Sequence, residues 1–131
     1  MTFRFIPAEI VPIIHADLLQ RYGGRLGIRD PKLLDSALAQ PKMTAGGKFL
    51  HKTLFDKAAA YGFHICRNHP FVDGNKRVAF VLMDIFLQKN GWEITVSEEE
   101  AYLMVMQLAD GKLSKTQLAR WLKKHSARLS R

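Results

Sequence analysis

The chain has 131 residues, 47% of them hydrophobic, which makes one domain with a core of its own and excludes wholesale disorder. Its one cysteine, Cys66, excludes an internal disulfide framework and a two-thiolate metal site. The formal charge of +8 is uneven: residues 1–111 hold thirteen basic and twelve acidic side chains, and residues 112–131 hold seven basic and none acidic, so pI is no argument for a nucleic-acid-binding surface throughout.

The hydrophobic period is helical nearly everywhere. Ala8 to Arg21 places Ile10, Ile13, Ile14 and Leu18 at helical spacing, with Pro7 suited to a helix start and Pro12 arguing for a later one. Gly23-Gly24 ends it. Asp30-Pro31 pairs an N-cap with proline at the first helical position and opens a helix over Lys32 to Gln40. Pro41 to Lys52 reads as a loop. Thr53 and Asp56 match a capping pair at the start of a long helix to about Asn68, whose Gly62 points to close packing. Pro70 and Gly74 break the helical pattern between His69 and Asn75. A second long helix runs from about Asn75 to Lys89, apolar on several faces as at the centre of a bundle. Trp92 to Val96 alternates like one small strand. Ser97 with Glu100, and Ser114 with Gln117, match capping boxes for a helix to about Asp110 and a final helix with Leu118, Trp121 and Leu122 on its inner face.

The expected architecture is all-α, a compact bundle of about six helices in a single domain over 1–131, ending in a basic helix and tail at about 112–131. The longest apolar stretch, Val78 to Leu87, is interrupted by Asp84 and too short to span a bilayer. The first residues lack the pattern of a signal peptide, so the expected address is cytoplasmic, with no membrane partner.

The chemistry concentrates in His69-Pro-Phe-Val-Asp-Gly-Asn-Lys-Arg77, between the two long helices. A helix starting near Asn75 directs free backbone N–H groups and a positive dipole end outward, a ready anion site. Gly74 admits a phosphate close to the backbone. Lys76 and Arg77 add charge, and Arg77 offers a bidentate fork. Asp73 suits Mg²⁺ shared with phosphate oxygens. His69 is the residue type that takes a proton from a hydroxyl near neutral pH. Phe71 is the apolar anchor of the loop. Together these point to Mg²⁺-assisted transfer from a nucleotide to a hydroxyl.

This string resembles the signature of the Fic/Doc family, and Lys76, where Fic enzymes usually carry a second glycine, resembles its death-on-curing (Doc) branch. Tyr22-Gly-Gly, Gly27-Ile-Arg-Asp-Pro, Leu33-Leu-Asp-Ser-Ala-Leu, Gly46-Gly-Lys and Phe86-Leu-Gln-Lys-Asn-Gly91 extend the likeness over about residues 3 to 125. The resemblance implies His69 as general base, Asp73 as the Mg²⁺ ligand, Gly74, Asn75 and Lys76 as an anion hole, and Arg77 as a phosphate grip. It implies ATP as co-substrate and transfer of its γ-phosphate to a protein hydroxyl, by resemblance a threonine of elongation factor Tu, blocking translation. Transfer of AMP by the same residues is the nearest alternative. The loop Pro41 to Lys52 stands where the family places its target-docking flap, making Lys48, Phe49, Leu50 and His51 the docking candidates.

Self-inhibited Fic proteins carry an [S/T]xxxE[G/N] helix. Thr95 to Glu99 fits its first part, but Glu100 follows where glycine or asparagine is required, and we read the match as chance. The resemblance therefore implies restraint in trans by a Phd-like antitoxin with a disordered segment. His15, His51, His64 and His125 read as structural, Cys66 as a small core hydrophobe, and the basic tail as a solvated face first, an antitoxin contact second and a nucleic-acid contact third. A non-catalytic basic module, binding nucleic acid through the last helix, is the second alternative; a complete nine-residue motif weighs against it.

Overall fold

The computed structural model describes residues 2–130. A 3₁₀ turn, Ala8–Ile10, leads into α1, Val11–Tyr22, so the first helix begins after Pro7 with Pro12 in its first turn, where a missing N–H costs nothing. α2 spans Pro31–Ala39, with the Asp30 carboxylate accepting from the Leu33 N–H at 3.1 Å. A 3₁₀ turn, Gln40–Lys42, follows. The stretch read as a loop is in part a tiny antiparallel hairpin, β1 Thr44–Ala45 and β2 Lys48–Phe49, turning at Gly46 and Gly47, both at positive φ.

α3, Leu54–Asn68, opens on the expected capping box of Thr53 and Asp56. α4, Asn75–Lys89, is the central helix, with Val78, Ala79, Leu82, Met83, Phe86 and Leu87 fully buried. α3 and α4 pack closely at Gly62, where a Cβ would overlap the Met83 thioether, and Ala58 and Ala59 of α3 are fully buried. β3, Trp92–Ile94, leads to α5, Glu98–Ala109. There Ser97 caps the Glu100 N–H, but the Glu100 carboxylate meets the Ser97 hydroxyl at 3.3 Å rather than its backbone, so this capping box is half made. α6, Lys115–Lys124, has the full box of Ser114 and Gln117.

The basic C-terminal segment is not helix and free tail alone. Ser126–Arg128 forms β4, paired antiparallel with β3 in the register Trp92↔Arg128 and Ile94↔Ser126. Arg128 covers the Trp92 ring, whose other neighbour is Phe55, edge-on at 5.2 Å. The described residues thus form six α-helices with two short two-stranded sheets. Asn90 ties the N-terminal segment to the end of α4, exchanging two 3.0 Å hydrogen bonds with the Arg4 backbone.

Candidate active site

α3 stops because His69 adopts the left-handed conformation, φ 49° and ψ 55°, the one non-glycine among the described residues at positive φ. That conformation costs about 1–2 kcal/mol for an L-residue and persists where the surroundings hold it. Arg29 supplies the hold. Its guanidinium donates from Nε to the His69 carbonyl at 2.7 Å and from Nη2 to the Asn68 carbonyl at 2.8 Å. These are last-turn carbonyls that α3 cannot pair itself, and a cation suits that end of the helix dipole. The His69 side chain is exposed, and among the described residues no hydrogen bond restrains its imidazole.

The loop after His69 is lined by residues Gly24 to Asp30. Arg29 and Asp30 both donate backbone N–H to the Pro70 carbonyl, Ile28 bridges Phe71, and Val72 donates to the Gly27 carbonyl at 3.0 Å. Phe71 is fully buried beneath the loop. Its ring stacks on His15 of α1 at 3.9 Å and 14°.

Asp73 is exposed, yet both carboxylate oxygens are placed. Oδ2 accepts from the Arg25 N–H at 3.1 Å and Oδ1 from the Gly74 N–H at 2.9 Å. The Arg25 bond first, then the Gly74 bond, hold its carboxyl below the usual aspartate value. Gly24 makes room for this, since a Cβ there would lie 2.9 Å from Asp73 Oδ2 and 2.7 Å from Leu19 Cδ2.

Gly74, at φ 81°, is the N-cap of α4 and brings no side-chain cap, unlike the residues that start α3, α5 and α6. The first-turn N–H groups of α4 are left to an external acceptor. Asn75, expected in the anion hole, is turned inward at its side chain. Its side chain is buried and bonded twice to the Phe71 backbone, so what it can offer an anion is its backbone N–H alone. Lys76 and Arg77 are exposed, and the Arg77 guanidinium lies over the Tyr22 ring, 4.4 Å from its centroid.

The docking candidates Lys48, Phe49, Leu50 and His51 are not brought to this loop. Phe49 packs on Phe3 and Phe5, and the buried ammonium of Lys57, in the first turn of α3, lies over both the Phe3 and Phe49 rings and donates to the His51 carbonyl at 2.6 Å. His69 caps the far end of this fifteen-residue helix, roughly 20 Å along its axis. The hairpin borders instead a cleft of about 430 Å³ lined by Gln40, Leu50, His51, Asp56, Lys115 and Thr116. The segment that does lie on the motif, Gly24 to Asp30, is visible in sequence as resemblance strings without roles; its use by the loop is a tertiary fact. Arg29 and His15 carry no local signal beyond their residue type. Cys66 is half-buried, and burial raises its thiol to about 11, against the opposing pull of the Lys76 ammonium.

The arrangement presents an imidazole, a pre-oriented carboxylate, an uncapped helix start and two cations on an open surface. It can receive a phosphate-bearing ligand with a hard cation beside it, and it leaves room for a large acceptor. Among the described residues, no helix is long and apolar enough to cross a membrane.

Residues 5–87 match the family described as Fic/DOC. Toxin Doc from Mycolicibacterium smegmatis is 45% identical over 73 residues, 56% of either chain, so the chain spans little more than half the length of that relative. Protein kinase doc from Escherichia phage P1 is 31% identical over 121 residues, 92% of this chain and 94% of its own. The matched span takes in the loop, α3, most of α4 and the Gly24 to Asp30 segment that holds the loop, and on that ground the chain belongs to the Fic/DOC family.

Proposed function

We propose that the protein is a Doc-type toxin that transfers the γ-phosphate of ATP to a hydroxyl of a target protein. The observation that carries this reading is the open start of α4 beside an exposed imidazole: Gly74 leaves the first-turn amides uncapped, with Asp73, Lys76 and Arg77 around them and His69 at the adjoining end of α3. The names of the two relatives, a toxin and a protein kinase, support the class.

In this reading the first-turn N–H groups of α4, with Lys76 and Arg77, bind the phosphates. His69 accepts the proton of the attacking hydroxyl. Asp73 fits Mg²⁺ well, because its oxygens are held by two backbone N–H groups and keep free lone pairs for an ion that takes its other ligands from phosphate and water. The ion, when bound, supplies neutralisation of phosphate charge. Because the motif lies on open surface rather than in a deep pocket, the acceptor can be a side chain of a folded protein; a threonine of elongation factor Tu, with arrest of translation, is the specific target proposed. Lys76 favours phosphate over AMP transfer, since an ammonium fills the space that a second glycine would leave to further phosphates. Neutralisation by an antitoxin with a disordered Phd-like segment, in the cytoplasm, completes the proposal.

The test is incubation of the protein and its His69→Ala variant with Mg²⁺, cell extract and ATP labelled at the γ- or α-phosphate. His69-dependent label from γ alone is expected. Label from α would replace phosphate transfer by AMP transfer, and no His69-dependent label would overturn the enzymatic reading.

A further inference from the structure

His15 lies on α1, far from the motif in sequence, and is 3% exposed. Three observations set it against the motif loop. Its Nε2 lies 2.8 Å from the Asp73 backbone carbonyl. A carbonyl only accepts, so Nε2 carries the hydrogen. Its ring stacks face to face on Phe71. Its Nε2 and Cδ2 also lie 3.6 Å from where a Cβ on Gly74 would stand.

The carbonyl that His15 holds belongs to the Asp73–Gly74 peptide, and the N–H of the same peptide donates to Asp73 Oδ1. A peptide group is planar and trans, so its C=O and N–H point in opposite directions and turn together. Fixing the carbonyl fixes the N–H, and through it the Asp73 carboxylate. This is also the peptide most able to turn over, because the residue after it is glycine, which adopts either sign of φ at little cost. A flip would swing the Gly74 N–H away from the carboxylate and tilt the start of α4.

We infer that His15 is a positioning residue of the phosphate-transfer site: through the Asp73 carbonyl it locks the Asp73–Gly74 peptide and so aims both the Asp73 carboxylate and the first N–H groups of α4. The inference rests on the function proposed above for where that aim is used, while the lock itself can be read without catalysis.

The experiment compares wild type with His15→Phe, which keeps a ring against Phe71 but loses the N–H, and His15→Gln, which keeps a donor but loses the ring. Three quantities are measured: phosphate transfer against Mg²⁺ concentration, calorimetric binding of Mg²⁺ with ATP, and hydrogen exchange of the Gly74 amide. For His15→Phe, half-saturating Mg²⁺ is expected to rise and kcat to fall by about ten- to a hundredfold, as for other outer-shell partners of a ligating group. The KM for the target protein stays unchanged, and Gly74 exchanges about tenfold faster while the amides of α3 and of the α4 interior do not. His15→Gln recovers part of each. If His15→Phe fails to fold, His15→Gln against the donor-free His15→Met carries the same comparison. A folded donor-free variant with unchanged Mg²⁺ dependence and unchanged Gly74 exchange overturns the inference and leaves the proposed reaction standing. A wild type that transfers no phosphate overturns the reaction instead, and the exchange of Gly74 then decides the lock by itself.

Discussion

Asn75 holds Phe71 at both of its backbone polar atoms: its Oδ1 accepts from the Phe71 N–H and its Nδ2 donates to the Phe71 carbonyl, each at 3.0 Å and each buried. A side-chain amide is the group that matches a peptide in this way, offering one acceptor and one donor side by side. The clamp closes the loop across its four residues and so joins the buried anchor to the first residue of α4. It explains why the residue after Gly74 is an amide without assigning its side chain to a ligand.

Asn75→Ala strands the N–H and carbonyl of Phe71 in the interior. Each such buried group costs about 1–3 kcal/mol, so a loss of roughly 2–6 kcal/mol is expected. Asn75→Asp should be no better, because an oxygen replaces the donor that faces the Phe71 carbonyl. Urea unfolding of both variants measures this. If both unfold at the wild-type midpoint, the clamp contributes nothing.

Gly24→Ala tests the close approach at Asp73. Gly24 sits at φ 123°, and an added Cβ would press on Asp73 Oδ2 and on Leu19 Cδ2, both under 3 Å away. Strain of this kind costs about 1–3 kcal/mol, and relief by displacing Asp73 should remove most of the transfer activity. Gly46→Ala is the control, since Gly46 also has positive φ, at 58°, but nothing lies within 4 Å of its Cβ position. It should lose about 1 kcal/mol for its left-handed backbone and keep its activity. Equal activity in the two variants would sink the account.

His64 sets an acid limit on stability. Burial first, and then the charges of Lys115, His51 and Arg67, lower its pKa to about 4, and its Nε2 accepts from the Lys115 ammonium at 3.0 Å. The ordinary value is 6.5, so between pH 6.5 and about 4 the unfolded chain binds the proton and the folded one does not. Stability attributable to His64 is therefore complete above pH 6.5 and falls as pH drops through that window. Asp73 acts separately: its lowered value makes its contribution present above 3.8 and lost only below that. His64→Gln keeps an acceptor for Lys115 but cannot titrate. Unfolding free energies at pH 7 and pH 4.5 should fall less in this variant than in wild type. An identical fall in both would show that His64 is already protonated in the native state, or that it binds its proton without cost.

The local elements were legible because their causes are local. Thr53 with Asp56, Ser114 with Gln117 and Asp30 before Pro31 act within four residues, and the helices they open begin where the sequence predicts. Of the marginal strands only β3 was legible, as the alternation from Trp92; its partner and the hairpin were not. Ser126–Arg128 has no strand signal of its own and becomes β4 because Trp92–Ile94 presents an open edge to it. In the same way, the hairpin at Lys48–Phe49 is held by Lys57 and Phe3, contacts that no local signal records.

By itself the sequence determined the helices, the nine-residue motif at the junction of α3 and α4, and the residue types gathered there, since periodicity, caps and contiguous motifs need no knowledge of the chain's path. The tertiary structure alone decided which residues hold that loop in shape. Arg29 reaches His69 across 40 positions, Arg25 reaches Asp73 across 48, and His15 reaches the Asp73 carbonyl across 58. Hydrogen bonds at such separations depend on packing of the apolar helix faces to bring α1 and the Gly24 to Asp30 segment against the loop, and no short-range rule records where that packing leads.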